Sequence, residues 1–152
     1  MDRTSYTALA LRLMDGPCLL ADFLPRQVPA EAGGRFFTVE QWFLAGPRLK
    51  EQYRRFCRLL LKLYCYYPLA LSTDGGEAWI DMPEPDALEK AVCARIKPCA
   101  DLWVLLPSEG VLFTLSSGDL HMTVYGAAGQ AERTLRQLAA GEGLYVWAHG
   151  EE

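Results

Sequence analysis

Little in this sequence announces a reaction. It has no C-x-x-C pair, and its five cysteines (Cys18, Cys57, Cys65, Cys93 and Cys99) stand with only two histidines, His121 and His149. Neither a disulfide framework nor a zinc site is built that way, so the expectation is free, mostly buried thiols in a reducing cytoplasm, with no metal and no cofactor. No stretch approaches the ~20 mostly apolar residues of a membrane span. The start, "MDRTSYTALALRLMDG", lacks the form of a signal peptide, with an acid at position 2 and Arg12 inside a short apolar stretch. A basic excess is missing as well. The formal charge of −4 argues against a duplex-DNA binder, whose domain usually carries a basic footprint. The G-x-S-x-G elbow is absent, since "LSSGD" (115–119) lacks its first glycine. "DGGEAWIDMPEPD" fails the alternation of a calcium loop. There is no internal repeat and no low-complexity segment.

What is present is enough for a core. With 152 residues, 51% apolar and 22% charged, the chain is one domain's worth and buries roughly two thirds of its unfolded surface. Residues 1–152 are expected to form a single globular domain, with a loop at 25–35, "PRQVPAEAGGR", that does not amount to a boundary. The first half is expected to be helical. Segment 4–14 has helical apolar spacing, although Leu9, Leu11 and Leu13 would also suit a strand. In "DGPCLLADFLP", Pro17 suits a first helical turn and Pro25 ends the piece. Thr38 and Gln41 have capping-box spacing at the head of 38–44, a segment open to helix or strand, and Pro47 opens a long helix to Tyr67.

After Pro68 the character changes. "LALS" and "AWIDM" around "TDGGE" predict a hairpin. "PEPDALEKAVCARI" predicts a helix, "DLWVLLP", "GVLFTLS" and "DLHMTVYG" three strands, "QAERTLRQLAAGEG" a helix and "LYVWAH" a last strand. The expected class is therefore α+β: a helical N-terminal half, then a mixed, mainly antiparallel sheet of about 4–6 strands with helices packed on one face. The β-α-β-β-α-β portion resembles the split βαβ plan of ferredoxin-like domains, in topology alone.

The long helix is the most informative segment. At 100° per residue, Leu49, Tyr53, Phe56, Leu60, Leu63, Tyr64 and Tyr67 fall on one side, with Cys57 and Leu61 beside them; this is the stripe of a helix lying on a core. The other side is basic. Between 48 and 62 there are six basic residues and one acid, a balance of +5, whereas 74–89 holds six acids and no base. Either the acidic segment folds back on this face, or the face binds an acidic partner: a protein, RNA or an anionic lipid surface. On the second reading Arg54, Arg55, Arg58 and Lys62 are the partner-binding residues.

Catalytic candidates are few. Asp119 and His121 lie two apart on a strand and so share a face, where a carboxylate could fix the imidazole's tautomer. Leu120, Met122 and Val124 then form the buried face, and Asp119, His121, Thr123 and Tyr125 the other. Cys65, near the basic side, is the one thiol placed for alkylation. "YGAAGQ" (125–130) sets Gly126 and Gly129 between strand and helix, a weak phosphate cradle without a following Lys-Ser/Thr. Trp79, Trp103 and Trp147 sit in strand candidates and are expected to be core.

The leading expectation is a non-enzymatic cytosolic interaction module, of inhibitor, antitoxin or regulatory-subunit type, with a protein partner. The alternative is a small enzyme or ligand-binding domain on the Asp119/His121 face, which requires those side chains to line a concave, partly apolar pocket. A third is weak binding of single-stranded RNA, with steep salt dependence. A homodimer is open, through a covered second sheet face or through an edge strand such as 119–125.

Overall fold

The computed structural model of the chain describes residues 3–148. The elements run α1 (Arg3–Met14), β1 (Cys18–Asp22), a 3₁₀ turn (Ala30–Ala32), α2 (Gly33–Leu44), α3 (Pro47–Tyr64), β2 (Ala70–Ser72), β3 (Ile80–Asp81), α4 (Pro85–Ala94), β4 (Leu102–Leu106), β5 (Val111–Leu115), β6 (His121–Tyr125), α5 (Gly129–Gly141) and β7 (Tyr145–Ala148). The α+β class holds. The sheet has seven strands rather than four to six, in the order β3-β2-β4-β5-β6-β1-β7. Every neighbouring pair is antiparallel, so the sheet is not mixed.

The additional strand is β1, in the segment whose Pro17 suggests a helix. Enclosed between β6 and β7, it has both neighbours satisfied and shows no clean polar alternation. α2 also departs from expectation. It starts at Gly33, and Thr38 lies inside it, its hydroxyl donating to the Gly34 carbonyl at 3.1 Å rather than capping the helix. The loop therefore ends near residue 32, and the long helix ends at Tyr64. His149 lies outside the described residues.

Two crossovers explain the layering. β3 and β4 both pair with β2, and β6 and β7 both pair with β1, so each pair is parallel with one strand between its members. The connections β3–α4–β4 and β6–α5–β7 are thus split βαβ units running in the same sense. A common handedness places α4 and α5 on the same face. There they meet α3 around Phe56, Leu60, Leu63, Leu88, Val92, Leu135, Val104 and Phe113. Alternation along β4 and β5 sends Leu105 and Leu112 to the opposite face, where α1 covers them with Tyr6 and Ala10. Helices therefore occupy both faces rather than one. The α1 contact is fixed by polar pins: Tyr6 donates to Asp81 at 2.9 Å, Trp79 to the Thr7 hydroxyl at 2.9 Å, and Thr7 to the Gly76 carbonyl at 2.8 Å.

The hairpin over β2 and β3 forms, but with a broad loop in place of a tight Asp-Gly turn. Asp74 organises it by accepting from Ser72 at 2.8 Å and from the amides of Glu77 and Ala78 at 3.1 and 3.0 Å. Segment 119–125 is not an edge, because β6 lies between β5 and β1. The edges are β3 and β7, and on β7 the Val146 carbonyl is taken by Arg136 at 2.7 Å, which blunts strand addition there. Among the described residues, no helix is long and apolar enough to cross a membrane.

Candidate functional site

α3 has two faces with two tasks. Its inner face is the expected apolar stripe: Leu49, Tyr53, Phe56, Cys57, Leu60 and Leu63 are buried, together with Gln52 and Leu59. Two inner side chains support the turn that carries Asp119. The Gln52 amide donates to the Leu120 carbonyl at 3.1 Å. Tyr53 lies beside Gly118 and Asp119, and burial drives its phenol pKa upward. From the other side, the Gly118 amide donates to the Arg95 carbonyl at 3.0 Å and Ser117 to the Lys97 carbonyl at 2.8 Å.

The outer face carries Arg48, Lys50, Arg54, Arg55, Arg58 and Lys62. Segment 74–89 forms no ion pair with it: among the described residues, no acid of that segment comes within 4.0 Å of a basic group, and Glu89 of α4 is the one that stands near, beside Cys93 with Lys50 and Arg54. Asp74 and Asp81 are engaged in their own hairpin and with Tyr6. The acids that do act are Glu51, 3.5 Å from Arg58 and 4.0 Å from Arg55, and Glu142 at the end of α5. Glu142, only 6% exposed in its side chain, meets Arg58 at 2.7 Å and Lys62 at 2.7 Å. Burial alone would raise its pKa, but the bonds from Lys62 and Arg58 outweigh it and hold the carboxyl below the ordinary range. Six bases against these two acids and the nearby Glu89 leave the face at +3. Among the described residues, Lys50 and Arg54 have no carboxylate within 4.0 Å.

Asp119 and His121 do share a face, with Leu120, Met122 and Val124 buried behind them. The His121 Nε2 lies 4.0 Å from Asp119 Oδ2. The sequence reading missed Asp22, which sits directly opposite His121 in the β1–β6 register. Its carboxylate accepts from the Phe23 amide at 2.7 Å. Burial raises its pKa, against the pull of the Phe23 and Leu24 amides, His121 and the Trp147 indole. Asp119 is also raised by burial, with His121 opposing. These groups line a cleft of about 300 Å³, walled by Phe23, Phe36 and Leu44 and with Glu40 at its side. Asp22 and Phe36 continue into a second cleft of about 280 Å³ under the 24–30 loop, against Trp147. Thr123 and Tyr125 do not line the cleft; Tyr125 packs under α1. The cleft can hold a cationic group against its carboxylates.

The remaining candidates resolve simply. Burial pushes the Cys57 thiol up to about 11, with Cys93 and Glu89 adding to the shift, which leaves it protonated and inert. Cys65 is exposed. A Cβ at Gly126 would lie 2.2 Å from the Gly110 carbonyl oxygen, at φ +80°, so close packing accounts for that glycine. Trp103 and Trp147 are buried and Trp79 packs between Tyr6 and Trp103, as core residues should. Among the described residues, no group of three or more histidines, cysteines and acids is arranged to hold a metal ion.

Comparison with protein-family models, with curated proteins and with solved structures finds no match for this chain.

Proposed function

We propose that the protein is a non-enzymatic interaction module that engages an acidic protein partner through the outer face of α3. The observation that carries this reading is the residual charge: Lys50 and Arg54 stand without an ion pair among the described residues, on a face still at +3 after Glu51, Glu142 and the nearby Glu89 are counted. An unsatisfied basic strip on an acidic protein steers acidic surfaces toward one place and repels basic ones. Arg55, Arg58 and Lys62 belong to the face, but Arg58 and Lys62 also bind Glu142. The clean test variant is therefore K50E/R54E, because Arg58→Glu would set two carboxylates against each other. Fluorescence anisotropy with labelled poly-L-glutamate and with a labelled oligouridylate tests the reading. Binding to polyglutamate that weakens with salt and is lost in K50E/R54E supports it. Unchanged binding by the variant contradicts it, and a clear preference for the oligouridylate favours single-stranded RNA.

A second reading is favoured by the cleft at Asp22, Asp119 and His121, which is concave and partly apolar. It is a pocket for a small ligand bearing an amine or guanidinium group. Chemical-shift changes at Asp119 and His121 on titration with alkylguanidines, absent in D119N, test it.

A further inference from the structure

α2 is an unusual helix for this fold. None of its residues is buried, yet Phe37, Val39 and Trp42 are 60%, 48% and 54% exposed. Phe36, Glu40, Phe43 and Leu44 turn toward the cleft and the core. On the outward side, between Arg35 and Arg48, Phe37, Thr38, Gln41 and Trp42 follow one another without a charge. A basic group closes this surface toward α3. The Arg48 guanidinium lies 4.0 Å from the Trp42 ring centroid and its Nε donates to the Trp42 carbonyl at 2.6 Å. Trp42 of α2 thus meets the basic face of α3 at Arg48, and Phe37 stands further round α2, beyond Thr38 and Gln41.

We infer that the outward side of α2 and the basic face of α3 form one docking site, whose occupant is an acidic amphipathic segment of another protein, its apolar residues on Phe37 and Trp42 and its carboxylates along α3. The inference rests on the reading of α3 proposed above and adds the apolar half and the form of the partner. Charge complementarity argues for the carboxylates, and the strip from Arg48 to Lys62 runs for about 20 Å of helix, the length of a short segment. An exposed tryptophan beside an arginine is the usual make-up of an interface anchor. A lipid surface fits less well. Only three large apolar side chains of α2 project, Phe37, Val39 and Trp42, and membrane binding by a surface helix scales with the apolar area it buries.

The test is an NMR titration of the ¹⁵N-labelled full chain. The probes are a 16-residue peptide with leucines at helical spacing among glutamates, the same peptide with serines for leucines, and vesicles containing phosphatidylserine. The expected result is a shift of the Trp42 indole N–H by the leucine peptide only, with binding at least tenfold weaker in W42A, F37S and K50E/R54E while each variant keeps the wild-type amide spectrum. If K50E/R54E loses binding but W42A and F37S bind as wild type, the apolar half is wrong and the α3 reading stands. If all variants bind as wild type, both fall. Equal binding of the serine peptide, no binding of the leucine peptide, or binding to vesicles alone also overturns the inference.

Discussion

Arg58 of α3 and Glu142 at the end of α5 meet at 2.7 Å, with the Glu142 side chain 6% exposed and that of Arg58 45% exposed. The carboxylate also receives Lys62, so one buried acid ties two bases of the outer face to the fold. Glu142→Gln keeps the shape and removes the charge. It should cost about 1–2 kcal/mol, less than a fully buried pair because the two cations are half in water. Urea denaturation of wild type and variant at pH 7 measures this; unchanged stability would mean that the clamp is incidental.

The same residue gives a pH dependence of known sign. Because the folded Glu142 pKa is depressed, the folded state binds its proton less readily than the unfolded chain. The stabilisation is complete above the ordinary glutamate pKa of about 4.3 and is lost as pH falls through the lower folded value. In E142Q the acid limb of the stability profile should be shallower over that interval.

Asp22 works in the opposite direction. Its folded pKa is raised by burial, so the folded state holds that proton more firmly. The associated stability is present below the ordinary aspartate pKa of about 3.9 and is lost as pH rises through the folded value. Asp22→Asn should remove this decline while its amide oxygen still accepts from Phe23. Asp119 contributes a decline of the same sign, so the test is the difference: a stability profile from pH 3 to 7 no shallower in D22N than in wild type would assign the decline elsewhere.

Gly76 is where α1 and the hairpin loop close on Trp103. A Cβ there would lie 2.4 Å from the indole ring, at φ +95°. Gly76→Ala should therefore destabilise by about 2–4 kcal/mol through backbone strain and overpacking. A thermal midpoint within 2 °C of wild type, on the order of a 0.5 kcal/mol change, would contradict the packing described.

Thiol chemistry should follow burial. Native-state iodoacetamide is expected to label the exposed Cys65 and Cys99 and to spare Cys57, which becomes reactive only in denaturant. Peptide mass mapping after a short pulse decides this.

The helices were legible in the sequence where an apolar stripe faces one core: α3, α4 and α5 fall where periodicity places them. β1 was not, because Cys18–Asp22 is flanked by strands on both sides and Pro17 sits just before it. That misreading hid Asp22, whose pairing with His121 spans 99 positions and leaves no local trace. Asp119 and His121 were readable because a two-residue step on a strand fixes a common face. Glu142, within "GEG", looks like a solvated helix end. Its burial comes from α5 closing on α3, a tertiary event that no local pattern carries. α2 was obscured by Gly33 and Gly34, which suggest a loop but open the helix.

The most direct measurement is affinity capture from nuclease-treated lysate of the source organism, run in parallel with wild type, K50E/R54E and D119N, with bound proteins identified by mass spectrometry. An acidic protein retained by wild type and D119N and lost by K50E/R54E is the predicted result. The same protein retained by K50E/R54E at low salt, or lost only in D119N, would contradict the account.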